Sequence, residues 1–302
     1  MAGPLQGPRR ARSRAVVTRS VATPTHDRAR ARPRTDRLRL QSIAASITER
    51  DQRICIDLFE HRILTTIQLY ELHFPSYPRA RKRLLELHRL GLLWRTRPQR
   101  QPGSLPWHYI LDEPGALVVA ESRGIEPNEL RFRFDRVLGM LDSPRLRHLR
   151  ETNGFFTRLA HACRLSEQPY RLARWWGERT CATRWQGLVR PDGLGRLNAP
   201  QGSVTFALEL DRGTEPRDRL GEKLERYLLI ASGPDAPEVV LFCFPNTDRE
   251  QSAREVLRRP GLPVATTNLQ RHLPDPLGPV WRPIGEDRRL RLIDLGRVAI
   301  HE

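Results

Sequence analysis

The chain has 302 residues, 38% of them hydrophobic, with a mean hydropathy of −0.56, which suits two domain-sized cores in a polar exterior. No apolar run approaches the ~20 residues a membrane-spanning helix needs, so an integral membrane protein is excluded. The 52 Lys and Arg against 35 Asp and Glu give +17, the balance of a protein that meets a polyanion.

The first 40 residues hold 11 Arg against Asp27 and Asp36, about half of the excess. They are Pro-interrupted and aperiodic, and they lack the apolar stretch of a secretory signal. Residues 1–45 therefore read as a disordered Arg-rich arm. A second basic cluster lies between Ser76 and Arg100, where seven Arg and Lys82 face the single acid Glu86.

From Ser46 the pattern becomes periodic. Ser46 or Thr48 caps a helix to His61, with Ile47, Ile54, Leu58 and Phe59 at helical spacing. A short helix follows from Leu64 to Phe74, stopped by Pro75, and a third runs from Tyr77 to Leu90. Gly91 ends it; Leu92–Trp94 and Trp107–Leu111 read as two strands joined by a polar loop. Three helices and a hairpin are the order of a winged helix-turn-helix, assigned to residues 46–123. Its third helix carries Arg79, Arg81, Lys82, Arg83 and Arg89 and is the one to enter a major groove. Arg95, Arg97 and Arg100 on the hairpin would lie along flanking phosphates. Double-stranded DNA is the expected partner, with protein docking the other use of such a module. A homodimer is compatible, although no heptad repeat argues for one.

Residues 124–144 read as a Pro- and charge-rich linker. Beyond them, residues 145–302 alternate between helix and strand, so the fold class is α/β, or α+β over the whole chain. A helix over Arg145–Arg164 stripes Leu149, Phe156, Leu159 and Cys163 on one face. Strands are expected at Tyr170–Arg179, Leu188–Gly193, Val204–Asp211, Val239–Phe244 and Val264–Thr267, and helices at Pro216–Ile230 and Asp248–Arg258. Along Val204–Asp211, Val204, Phe206, Leu208 and Leu210 face one way, and Thr205, Ala207, Glu209 and Asp211 the other.

The acids give this half a candidate chemistry. Glu209 and Asp211 share a strand face about 7 Å apart, and Asp192, at the end of the preceding strand, converges with them if the two strands pair. Three carboxylates at one sheet end suit a hard cation, Mg²⁺ or Mn²⁺, which beside a DNA backbone polarises a phosphoryl oxygen and acidifies a bound water. Glu178 is a further candidate ligand. Of the chain's two lysines, Lys82 and Lys223, the second lies on the helix after the acidic strand. An ammonium can be tuned by burial as a guanidinium cannot.

RPDG at 190–193, FALEL at 206–210 and a helix bearing Lys223 together resemble the PD-(D/E)XK nuclease core, whose fold is αβββαβ. The resemblance implies metal-ligand roles for Asp192 and Glu209 and a water-orienting role for Lys223; Asp211 stands where that pattern has Lys. More specifically, RLLELHRLGLLWR (83–95), WWGERTCATR (175–184), VRPDG (189–193), LELDRGTE (208–215) and KLERY (223–227) resemble the actinobacterial replication-relaxation family. That resemblance implies plasmid or mobile-element biology, with DNA replication and relaxation as the ascribed roles. Two readings stay open here. One is a Mg-dependent DNA nickase with Asp192, Glu209 and Lys223 as catalytic residues. The other is a non-catalytic replication accessory or transcriptional regulator with a degenerate nuclease fold.

No GxxxxGK[ST] loop is present, so no nucleotide cofactor is expected, and no HExxH or GxSxG motif occurs. The cysteines Cys55, Cys163, Cys181 and Cys243 form no CxxC pair, which argues against structural zinc and for a reduced, cytoplasmic, nucleoid- or plasmid-associated setting.

Overall fold

A computed structural model of the protein describes residues 46–97, 105–213, 216–258, 261–272 and 274–298. The arm expected over residues 1–45 lies outside them. Helix α1 (Glu49–His61) starts at Thr48, whose hydroxyl accepts from the Asp51 amide while the Asp51 carboxylate accepts from the Thr48 amide. Thr65 and Gln68 make the same reciprocal cap at α2 (Thr66–His73), so each helix satisfies two otherwise orphaned donors. Helix α3 (Tyr77–Arg89) carries Pro78 in its first turn, where a missing amide costs nothing. Strands β1 (Leu64–Thr65), β2 (Leu93–Thr96) and β3 (His108–Leu111) form an antiparallel sheet in the order β1-β3-β2. Ile54, Leu58, Leu69, Leu84, Leu87, Tyr109 and Leu111 fill the core between the helices and this sheet.

Asp112 caps α4 (Glu113–Arg123), and Gly124, at φ 63°, ends it in the left-handed conformation glycine tolerates. Residues 124–144, expected as a linker, are folded. They hold α5 (Phe134–Gly139) and a 3₁₀ turn at Met140–Asp142. Phe134 and Leu141 join Ile63 and Ile110 in a small apolar cluster, and that burial is why the segment does not stay open.

The second half is built on a six-stranded sheet, order β4-β5-β6-β7-β8-β9. Its strands are β4 (Arg171–Gly177), β5 (Gly193–Ala199), β6 (Gly202–Leu210), β7 (Val239–Phe244), β8 (Val264–Asn268) and β9 (Arg282–Pro283). β4, β5 and β6 are antiparallel neighbours; β6, β7 and β8 run parallel; β9 returns antiparallel. Helix α6 (Leu146–Leu165) and α11 (Leu292–Val298) cover one face, where Leu208 and Leu210 point. Helices α7 (Glu178–Arg184), α8 (Arg217–Leu228) and α9 (Thr247–Arg254) cover the other, where Ala207 points. Both faces of β6 are thus buried, and the alternation in its sequence separates two cores instead of core from solvent. A short helix α10 (Leu269–His272) follows β8.

Two boundaries differ from the sequence expectation. The strand expected at Leu188–Gly193 begins at Gly193 instead, because Pro191 offers no amide to a ladder and the sheet needs glycines further on. A Cβ at Gly193 would lie 2.5 Å from the Phe156 ring, and one at Gly195 would collide with Phe206. The strand expected to reach Arg179 stops at Gly177, and Glu178 opens α7.

All described residues belong to one compact unit, and α6 is the piece that ties its two sheets together. Asn153 on α6 donates to the carbonyls of His61 (3.2 Å) and Ile63 (2.9 Å), and Thr157 donates to Glu71 (2.5 Å). Gln68 donates to the Arg150 carbonyl at 2.9 Å, and the Gly177 amide donates to Glu60 at 3.1 Å. The His61 ring stacks on Trp175 with centroids 3.4 Å apart. Buried polar groups left unpaired are costly, so these bonds fix the register of the joint.

Candidate functional site

Helix α3 sorts its cations by face. Ala80, Leu84 and Leu87 are buried, leaving Arg79, Arg81, Lys82 and Arg89 exposed. Arg83 is different. Its guanidinium reaches inward to Asp51, a fully buried carboxylate, with Nη2 2.6 Å from Oδ2 and Nε 3.1 Å from Oδ1, and also pairs with Glu86. Of the sequence candidates for DNA contact, Arg83 is therefore a structural cation: leaving Asp51 uncompensated would cost too much for it to turn outward. On the hairpin, the Arg95 guanidinium lies 4.1 Å from the Trp107 ring centroid, and Arg97 donates to the Leu105 carbonyl at 3.1 Å. Arg100 lies outside the described residues.

Of the four acidic candidates, Asp192 and Glu209 meet at the end of β6, and Asp211 and Glu178 do not join them. The register pairs Gly193 with Leu208, so its continuation sets Asp192 opposite Glu209. Asp192 is anchored there: its amide donates to the Leu208 carbonyl at 3.0 Å, and Oδ2 accepts the Leu210 amide at 2.8 Å. Its Oδ1 faces His148 Nε2 at 2.7 Å, from the first turn of α6. Glu209 faces α8, where Lys223 Nζ is 3.1 Å from Oε2 and the Tyr227 hydroxyl donates to Oε1 at 2.7 Å. Lys223 and Tyr227 are one helical turn apart on α8, which is why both reach the same carboxylate.

Asp211 does not join them. Arg249 on α9 holds its Oδ2, and Oδ1 accepts the Gly213 amide at 2.5 Å. Glu178 is exposed at the start of α7, in the electrostatic neighbourhood of Arg62.

Burial sets the electrostatics of this network. Glu209 is only 4% exposed, and its loss of water pushes its carboxyl up to about 7; Lys223 opposes the shift and the nearby Asp192 charge adds to it. The hydrogen bond from His148 to Asp192 raises the imidazole above its ordinary value, against the opposing effect of its burial. Burial also lifts the Tyr227 hydroxyl well above the usual phenol range, helped by Glu209. The cluster can therefore hold a proton near neutral pH. It offers Tyr227 as a donor and not as a nucleophile.

A hard divalent cation needs several open oxygen ligands. Here both oxygens of Asp192 and both of Glu209 already face protein hydrogen-bonding partners, and Asp211 is closed by a guanidinium. Among the described residues, no group of three His, Cys, Asp or Glu is placed to hold a metal ion. The three-carboxylate set expected from the sequence does not fit Mg²⁺ or Mn²⁺ in this arrangement.

The residues that complete the network carry no sequence signal of their own. His148 reads as a helix-surface or core histidine, Tyr227 as packing, and Arg249 as one arginine among many. What could have singled out Tyr227 is its place one turn after Lys223. The four cysteines are free and buried, and burial pushes Cys55 and Cys181 up to about 12, so none is a ready thiolate. Among the described residues no helix is long and apolar enough to cross a membrane.

The described residues thus form a mixed α/β protein with two sheets, an exposed basic helix and an acid–base network at one sheet end. A family model described as Replication-relaxation matches residues 57–239, more than half of the sequence, and the chain belongs to that family. Membership associates it with replication and relaxation. No curated protein and no solved structure matches the chain.

Proposed function

We propose that this protein binds double-stranded DNA of a plasmid or integrated element and acts there in replication or relaxation. In this reading residues 46–123 are a winged helix-turn-helix that docks α3 in the major groove. Residues 145–302 are a PD-(D/E)XK-like domain whose acidic site is internally satisfied, used to build or position an assembly in the nucleoid or plasmid complex. The supporting observation is the sorting of charge on α3. Arg79, Arg81, Lys82 and Arg89 are exposed and make no ion pair among the described residues, while Arg83 alone is spent on internal acids. Four cations unopposed on one helix are a phosphate-binding face.

The test is duplex affinity by fluorescence polarisation for wild type and a variant with Arg79, Lys82 and Arg89 all changed to Ser. The reading predicts a weaker complex and a shallower salt dependence, the slope of log K against log salt falling in magnitude by about 3. Equal affinity and slope would overturn it.

A second reading, metal-dependent nicking, is supported by one observation: the strand register sets Asp192 opposite Glu209, and Lys223 Nζ lies 3.1 Å from the Glu209 carboxylate. It requires Mg²⁺ or Mn²⁺ to displace donors that now occupy both carboxylates. Incubating supercoiled plasmid with either ion separates the readings. Nicking that disappears in Asp192→Ala and Glu209→Ala identifies catalysis, whereas intact plasmid with all three proteins leaves the network a structural one.

A further inference from the structure

Between α3 and the β2–β3 hairpin lies a cleft of about 300 Å³. Arg81, Lys82 and Leu85 form its helix wall, and Arg95, Trp107 and Tyr109 its sheet wall. No carboxylate lines it among the described residues. The cleft is at the small end of the range for molecular binding sites, roughly 300–1,000 Å³, so it suits a single nucleotide far better than a folded element.

Its chemistry is divided. Arg81 and Lys82 are exposed and without ion pairs among the described residues, at the cleft's outer edge. The Arg95 guanidinium lies over the Trp107 ring, 4.1 Å from its centroid, so a planar cation stacked on an aromatic ring forms part of the sheet wall. Tyr109 is 1% exposed and belongs to the core, which makes this wall rigid. Aromatic and guanidinium planes accept a nucleobase irrespective of its identity, and neighbouring cations accept its phosphate.

We propose, resting on the DNA-binding reading, that this cleft holds one unpaired nucleotide of DNA, its base against Arg95 and Trp107 and its phosphate at Arg81 and Lys82. The protein then engages single-stranded or locally opened DNA as well as duplex. A major-groove helix alone gives no such preference; the aromatic wall does.

The probe is a short single-stranded oligonucleotide carrying 2-aminopurine, whose emission is quenched on stacking, measured beside a duplex of the same sequence. Wild type is expected to quench the probe on binding. Trp107→Ala should lose the quenching and about tenfold in single-strand affinity, Trp107→Phe should retain both, and duplex affinity should change little. Because Trp107 packs at the edge of a core, circular dichroism of each variant accompanies the titration, and Arg81→Ser, at an exposed position, gives an independent loss of single-strand affinity. Duplex binding with no quenching by wild type would overturn the inference and leave the DNA reading standing. So would an Arg81→Ser variant that binds the single strand as tightly as wild type. Failure to bind either DNA would overturn both.

Discussion

Asp211 and Arg249 close on one another across 38 residues of sequence: Nε and Nη2 of the guanidinium lie 2.8 and 2.6 Å from Asp211 Oδ2. The contact removes the third carboxylate from the acidic site and binds α9 to the end of β6. Asp211 is almost wholly buried, so its charge depends on this pairing.

Replacing Arg249 by Ala is therefore predicted to destabilise the protein by about 3–5 kcal/mol, the usual cost of stranding a buried charge. Urea unfolding of the variant checks it. Arg249→Ala combined with Asp211→Asn should recover part of the loss, and a single variant as stable as wild type would mean that water reaches Asp211.

The raised carboxyl of Glu209 predicts a pH dependence of definite sign. Its folded value is about 7, against an ordinary 4.5, so its contribution is fully present below about 4.5 and is lost as pH rises through about 7. His148, also raised in the folded protein, acts in the same direction above its ordinary 6.5. Wild type should lose stability relative to Glu209→Gln between those limits. Urea midpoints of the two proteins measured below and above this window give the comparison, and parallel behaviour would exclude a buried, titrating Glu209.

At the joint, Asn153→Ala removes the side-chain donor to two backbone carbonyls, those of His61 and Ile63. The expected loss is about 1–3 kcal/mol. Because α6 serves both sheets, far-ultraviolet dichroism and tryptophan fluorescence should still report one coincident unfolding transition. Two separated transitions would show that the halves fold independently.

Gly193→Ala is predicted to destabilise by about 1–3 kcal/mol through overpacking, since the added Cβ would sit 2.5 Å from the Phe156 ring and 3.3 Å from the Trp176 carbonyl. Thermal denaturation checks this. An unchanged midpoint would mean that Phe156 shifts freely, which its complete burial argues against.

Much of this arrangement is legible in local sequence. Alternation along Val204–Leu210 assigns each residue of β6 to its face, and Lys223 stands out because Arg fills almost every other basic position. Helix periodicity likewise separates Leu84 and Leu87 from Arg79 and Lys82 on α3. What local pattern does not carry is long-range pairing. Arg83 looks like its neighbours until Asp51, 32 residues earlier, is seen beneath it. Asp211 looks like a metal ligand until Arg249 arrives from another helix. Asp192 reads as the end of a strand, but it precedes one, because the glycines that admit Phe156 and Phe206 lie on its far side. The segment 124–144 reads as polar and open because the apolar partners of Phe134 and Leu141 are in other elements.

The exposed cations of α3 stand or fall on one titration: duplex DNA affinity of the wild-type protein as a function of salt. With about four phosphates neutralised, log K should fall with log salt at a slope near −3.6, roughly a hundredfold weakening between about 50 and 200 mM. An affinity that stays flat across that range would contradict a phosphate-binding role for Arg79, Arg81, Lys82 and Arg89.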